Sequence, residues 1–447
     1  MKQLLVLVAM LAFTACSGRV DDHIFIWDES MENPFYGETL AIAATGRDPM
    51  GRLASLYMSK NPGVNIEVID KGFEIDHIRE QVRVQLMAGQ GPMLLESRFV
   101  SLHGRRDFFV DWMPLIEAHP GFTDETWRMD VFYALASDGQ LFAFPESVAF
   151  STYSANQNVP GLSEAFASMD SISARGMIDI YNNFGGIDSG LSMNQVFSVG
   201  MHMLLFSREF VDFENGFVNF LNPDYIAMLE ETSQAMKRLP ASVIYEMERG
   251  GDWLLLMAEY FMFHVNMSPY RLVASDIFYG YSGFENPVTL VDDSGKLVIF
   301  PLEQWVLSAK SSAAQRALAL DFIRFTQDFT NADVVQIHET SQTVRHFNTL
   351  NRSRFEHSIE RFLDDSIIFR SFEDRHLRKS RDVALDYVIQ YVNHAMSRPM
   401  IGVQFVPDRI LTFFRETLDS LNLGLISPHE AATMLQNRVT LEILEGN

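Results

Sequence analysis

Between Leu40 and Glu96 short apolar runs alternate with amphipathic stretches, and no other part of the sequence constrains the fold as tightly. Leu40–Thr45 is apolar and ends at Gly46, the pattern of a short buried strand. Met50–Lys60 places Leu53, Leu56 and Tyr57 on one helical face, and Asn61-Pro62-Gly63 stops it. Val64–Ile69 alternates as a strand. Strand, helix, strand at this spacing is a βαβ unit, and strands joined by such a crossover pair in parallel. Asp76–Met87 repeats the helix, Gly89, Gly91 and Pro92 end it, and Met93–Glu96 supplies a third strand.

A chain of 447 residues exceeds the size at which one core keeps growing, so two domains are expected. Asp138–Asn156 is the candidate passage between them. The turn pair Asp138-Gly139 leads into two β-prone runs, Leu141–Phe144 and Val148–Tyr153, broken by Pro145. A cleft between the two halves would be the functional site.

The remaining signals are coarser. Phe108–Ile116 reads as an aromatic connector. Thr123–Tyr133 reads as a short helix with Asp124-Glu125 near its positive end. Leu162–Met169, Met193–Glu209 and a run from Pro223 through Leu239 read as helices. Gly251–Met267 is apolar but contains Asp252, Glu259 and His264, which fits a buried helix running into a strand better than a membrane span. Leu297–Phe300 and Trp305–Leu307 are strand-like runs either side of Pro301. Ala313–Thr326 is an amphipathic helix, and Asp382–His394, Arg409–Leu421 and Pro428–Leu444 follow in a more charged, more helical C-terminal region. No fixed-period repeat is present.

Composition excludes some chemistry. The formal charge of −23 argues against nucleic-acid binding, which needs concentrated positive charge. The histidines are scattered without a His-Glu-x-x-His pair, and a single cysteine cannot build a thiolate cage. Asp292-Asp293 and Asp364-Asp365 are adjacent and point different ways, as in solvated turns. No cofactor, metal or catalytic residue is expected. With 58 acidic residues, two well-placed carboxylates for glycoside hydrolysis stay open as a second reading.

The N-terminus bears on location. A basic start, the ten-residue apolar run Leu4–Phe13 and small residues at the break describe an export signal. Ala12-Phe13-Thr14-Ala15-Cys16 resembles the bacterial lipoprotein signal, with Phe13 where leucine is usual. The resemblance implies removal of residues 1–15, acylation of Cys16, and a lipidated N-terminus and spacer over 16–36.

Four further stretches carry a wider resemblance: Met50–Val68, Ile78–Glu96, Asp138–Asn156 and Val298–Phe325. Together they resemble the extracellular solute-binding lipoproteins of bacterial ABC importers, the class that includes many sugar binders. Met93 stands where that family commonly has aspartate, Phe142 replaces its tyrosine, and Ala155-Asn156 replaces its Tyr-Asn pair. The resemblance implies an α/β, two-lobed periplasmic-binding-protein-like fold with a ligand cleft between lobes and a helical C-terminal region. Lobe 1 would comprise 37–145 plus about 300–350, lobe 2 would comprise 146–299, and 351–447 would pack on the lobes. It implies a monomer, on the outer face of the cytoplasmic membrane, that passes a small-molecule solute to permease subunits without catalysis. An exported carbohydrate-active enzyme and an adhesive or structural surface lipoprotein are the rival readings.

Aromatic faces and directional polar groups would hold such a solute. The aromatic candidates are Trp305, Trp253, Tyr153 and Trp112, each with core packing as its competing role. Trp305 leads because it sits just past Pro301 in the expected return crossing, and Trp305→Ala is expected to weaken binding and leave the fold intact. Asn156 and Glu146 are polar candidates at the first crossing. Glu96 ends a parallel strand, where binding loops gather, and capping the next helix is its rival role.

Overall fold

The computed structural model describes residues 34–45, 48–72, 75–100, 106–156, 161–173, 210–212, 216–236, 262–267, 284–292, 294–341, 349–364, 393–402 and 408–446, with a few isolated positions between them. The described strands are β1 (Thr39–Ala44), β2 (Asn65–Asp70), β3 (Leu94–Glu96), β4 (Phe144–Asn156), β5 (Ser171–Ile172), β6 (Val211–Asp212), β7 (Phe217–Val218), β8 (Met262–Met267), β9 (Phe284–Leu290), β10 (Leu297–Leu307) and β11 (Met400–Gly402). The helices are α1 (Met50–Lys60), α2 (Ile75–Met87), α3 (Met113–Ala118), α4 (Met129–Leu135), α5 (Leu162–Ala167), α6 (Pro223–Met236), α7 (Ala313–Thr326), α8 (Ala332–Thr340), α9 (Arg352–Asp364), α10 (Asp408–Asn422) and α11 (Pro428–Gly446).

The opening alternation folds as its pattern dictates. β1 pairs in parallel with β2, Leu40 opposite Ile66, and with β3, Ile42 opposite Leu94. Helix α1 buries Leu53 and Tyr57, and α2 buries Ile78, Val82 and Leu86. Antiparallel pairings through β10, β4, β8 and β9, and parallel ones from β5 and β11, then extend the sheet to nine strands in the order β2-β1-β3-β10-β4-β9-β5, with β11 on β10 and β8 on β4. Helix α7 covers the first part, its start fixed by a capping box. The Gln315 N–H donates to Ser312 Oγ at 3.1 Å, and the Ser312 N–H donates to the Gln315 side chain at 2.9 Å.

Strand β4 joins two hydrophobic cores. Its first half pairs with β10, from Phe144 opposite Trp305 to Ala149 opposite Phe300. Its second half pairs with β8 and β9. Phe144, Val148 and Phe150 belong to a core shared with α7, Leu297, Ile299, Ala395 and Met396. Tyr153 and Ala155 belong to a second core built with α5, α6, Val288, Leu290 and the inward faces of α10 and α11. Strand side chains alternate between faces, so the change from even to odd residues puts the two cores against opposite faces of one strand. Phe144 is held firmly at the first end. Trp112, Phe122, Trp127 and Phe132 surround it at centroid distances of 5.2–6.0 Å, each such pair contributing about 1 kcal/mol beyond its buried area.

Both prolines expected to break strands lie inside them. Pro145 is the second residue of an unbroken thirteen-residue strand, opposite Gln304. Pro301 sits within β10, opposite Val148, and the register slips on either side of Glu303. Proline cannot donate to the ladder, and a bulge is where a sheet tolerates it. The helix expected over Thr123–Tyr133 begins only at Met129. Thr126 folds back on Gly121 and Thr123, and the Arg128 N–H goes to the Leu350 carbonyl at 2.9 Å, so tertiary pairing overrides the local signal. The connector at 108–116 contains the start of α3, with Pro114 in its first turn. Met193–Glu209, residues 251–261 and most of Asp382–His394 lie outside the described residues. Among the described residues no helix is long and apolar enough to cross a membrane.

Candidate functional site

The slipped register between β4 and β10 sets up the site. Ser147 lies opposite Glu303 and Pro145 opposite Gln304, while Pro301 lies opposite Val148. One residue is thereby skipped on each strand, Glu146 on β4 and Leu302 on β10. They leave the ladder in different directions. Leu302 is half exposed, at 51%, whereas Glu146 turns inward and is 8% exposed.

Glu146 is held from both sides. Its Oε1 accepts the Trp305 indole N–H at 2.7 Å, and its backbone carbonyl accepts the Leu350 N–H at 3.1 Å. The segment carrying Leu350 lies along β4, with Thr349 bridged to Ser147. The Asn351 side chain then accepts the Arg354 N–H at 3.2 Å, starting α9 and turning Arg354 into the protein, where it is 3% exposed. The Arg354 guanidinium donates to Gln327 and lies over the Phe329 ring, 5.3 Å from its centroid. Its Nε–H and the buried Ser147 hydroxyl have no hydrogen-bond partner among the described residues.

Charge in this cluster is unbalanced. Burial, then Glu303, pushes the Glu146 carboxyl up to about 7, with Glu96 adding to the rise; Arg354 and the indole N–H pull the other way. Glu303 is raised too, again chiefly by burial. Burial lowers Arg354, and the two glutamates partly offset it. Glu96 stands at the edge, accepting from the Thr45 backbone at 2.7 Å and hydroxyl at 2.8 Å, with Arg98 Nε at 2.7 Å. That ties the end of β3 to the end of β1. The group can hold and release a proton, and its carboxylates and Gln304 can orient polar donors.

The sequence candidates divide accordingly. Glu96, Glu146 and Trp305 converge here, and Trp112 lies beneath, donating its indole N–H to the Trp305 carbonyl at 3.2 Å. Trp112 is fully buried and Trp305 is 4% exposed, so their rings are covered by protein. Tyr153 is fully buried in the second core, away from this cluster, and there it packs rather than presenting a face. Asn156 ends β4 opposite Phe284. Trp253 and Cys16 lie outside the described residues. Sequence reasoning missed Glu303, Gln304 and Arg354. A charged residue two places after an in-strand proline was the available signal for Glu303. Asn351 as an N-cap would have placed Arg354 in a first turn, but nothing local marks it as buried.

A surface hollow of about 420 Å³ opens elsewhere, beside α1 and β2, lined by Asp48, Arg52, Ser55, Met58, Ile66 and Val68. Among the described residues no group of three or more histidine, cysteine or acidic side chains could hold a metal ion.

No protein-family model and no curated protein sequence matches the chain. Solved structures do match it over most of its length. It is similar to a periplasmic oligogalacturonide-binding protein from Yersinia enterocolitica (TM-score 0.58, 12% identity, covering 92% of this chain and 100% of that one). It is also similar to the sugar-binding protein MalE from Xanthomonas citri (0.56, 14%, 91% and 98%) and to an extracellular solute-binding protein family 1 from Alicyclobacillus acidocaldarius (0.56, 13%, 91% and 99%). At such identities the likeness is one of fold, the two-lobed periplasmic-binding-protein-like architecture.

Proposed function

We propose that the chain is the extracellular solute-binding component of an ABC importer, capturing a small polar solute, a sugar or oligosaccharide first among them, between its lobes. The observation that carries this is β4, one strand entering two separate cores with a polar cluster at the foot of the passage. Two bodies that share strands can close on a solute and open again by bending at the joint, and a transporter can recognise the closed form. Nothing in that cycle requires a bond to be made or broken. The carbohydrate preference is supported by the binding proteins whose fold it shares and by the carboxylates and amide near the joint, which suit hydroxyl groups.

In this reading the hinge lies in β4 and in the turn between Leu290 and Leu297. Helices α10 and α11 complete the second lobe. Cys16 carries the lipid that keeps the protein on the outer face of the cytoplasmic membrane, beside permease subunits, as a monomer.

A thermal-shift screen of the purified protein against sugars, oligosaccharides and short peptides tests the proposal, followed by calorimetry on any hit. A true solute at a hundred times its Kd adds about 2.7 kcal/mol of stability, with saturable heat and unchanged ligand recovered afterwards. Product release would point to the enzyme reading, and a panel with no hit and no heat would sink solute capture. For the anchor, Cys16→Ser should abolish incorporation of labelled fatty acid; labelling that persists would refute it.

A further inference from the structure

We infer that the foot of the passage between the lobes is a proton-controlled hinge, in which Glu146 must keep its proton for β4 and β10 to stay fully joined. The inference deepens the two-lobe reading and rests on it for the lobe motion.

The geometry concentrates stress at one place. The β4–β10 ladder is interrupted where Glu146 and Leu302 are skipped, and Pro301 and Pro145 each lack a donor there. Glu146 is the inward residue of this interruption, and its 2.7 Å bond from the Trp305 indole ties one strand's side chain to the other strand. The charged groups that face it come from three elements: Glu303 from β10, Glu96 from the end of β3, and Arg354 from α9. Arg98 stands behind Glu96 and pairs with it.

With Glu146 neutral, Arg354 faces Glu303 as a balanced pair, and the indole bond closes the gap in the ladder. With Glu146 ionised, one buried arginine faces two carboxylates on neighbouring strands, Glu146 buried and Glu303 partly exposed. Repulsion and the demand of the second carboxylate for water then act where the ladder is weakest. Burial and Glu303 favour the proton-bound form, so the change falls near neutral pH rather than in acid. Loosening at this point reaches Ala149–Thr152, the stretch over which β4 leaves the first core for the second.

Amide hydrogen exchange on the full chain, without solute, tests this directly. Peptides spanning Phe144–Tyr153 are followed from about pH 4.5 to about pH 8.5 and corrected for intrinsic rates; opening coupled to release of one proton should lower protection by up to about tenfold per unit from the ordinary glutamate value to about 7, and level off above it. Tryptophan emission should change over the same range. In Glu146→Gln, which keeps an acceptor for the indole and cannot ionise, protection should stay at its acid value throughout. Glu303→Gln, which removes a like charge that raises the Glu146 carboxyl, should make protection level off at a lower pH and lose less in total. Protection independent of pH in the unaltered chain would overturn the proposal, as would an unchanged profile in Glu146→Gln. Failure of the importer reading looks different. A pH-dependent hinge in a protein that binds no solute leaves the hinge standing, while solute binding with flat protection removes the hinge and leaves the importer.

Discussion

Asp321 and Glu146 are both acids beside the first hydrophobic core, both largely enclosed by protein, and they behave in opposite ways. Asp321 accepts the Tyr57 hydroxyl at 2.7 Å and two Arg324 nitrogens at 2.8 and 3.1 Å, with His119 Nε2 at 3.6 Å. Burial works against its charge, yet the surrounding donors and Arg324 win and bring it down to about 2. Among the described residues Glu146 has one side-chain donor, the indole, and two carboxylates facing it, and it rises to about 7. Depth of burial does not separate them; the balance of donors and like charges does. A carboxylate with a settled charge braces α1 against α7. One whose charge is marginal is a candidate for work.

The largest expected effect tests the packing on which the Glu146 side of this contrast depends. Trp305→Ala would open a cavity beside Phe144 and strip Glu146 of its donor, costing roughly 3–5 kcal/mol in denaturant unfolding. That revises the expectation of an intact fold, which the buried, hydrogen-bonded indole does not support; a loss below about 1 kcal/mol would show the crossing to be loosely packed. Next, Asp321→Ala should cost about 3 kcal/mol by leaving Tyr57 and Arg324 without their acceptor. A near-neutral result would erase the distinction between brace and switch.

The pH dependence then separates the two acids by sign. The stability that Asp321 contributes is present above the ordinary aspartate pKa and is lost as pH falls toward about 2. Glu146 binds its proton more tightly when folded, so its contribution is present in acid and is lost as pH rises from the ordinary glutamate value to about 7. Each pH unit of that interval is worth about 1.4 kcal/mol at most. Glu146→Gln should therefore match the unaltered protein near its acid limit and exceed it in denaturant midpoint above neutrality. Equal midpoints at every pH would place the proton elsewhere. The smallest effect serves as the control. Arg398 and His394 reach Asp170, which is well exposed, so Arg398→Ala should change stability by less than about 1 kcal/mol, and less again in high salt.

The βαβ opening and α7 were more legible in sequence than the β4–β10 joint. The βαβ opening and α7 depend on local periodicity, caps and stops, and each lies within a residue or so of its expected bounds. The joint depends on registry between distant segments. A proline reads as a stop because its own neighbourhood says so, and only the partner strand reveals that Pro145 and Pro301 face a ladder able to skip a residue. Arg354 belongs to RSRFEHSIERFLD, which reads as a solvated helix; it is buried because Leu350 and Asn351 are pinned to β4 and to Trp127. Trp305 and Glu146 were found by position along the chain, but the bond between them was not, since no local pattern pairs an indole with a carboxylate so far away.

The second core carries a further consequence. Tyr153 enters it early, but Ala431, Ala432, Leu435 and Val439 of α11 are among its last pieces, and the Tyr391 hydroxyl joins Thr152 at 3.1 Å to Thr289 at 2.6 Å. A chain that emerges N-terminus first therefore cannot shield that core until α11 is made. A product stopped before α11 leaves the faces of Tyr153, Phe220 and Phe414 open to chaperones and proteases, so α11 decides whether a copy can persist.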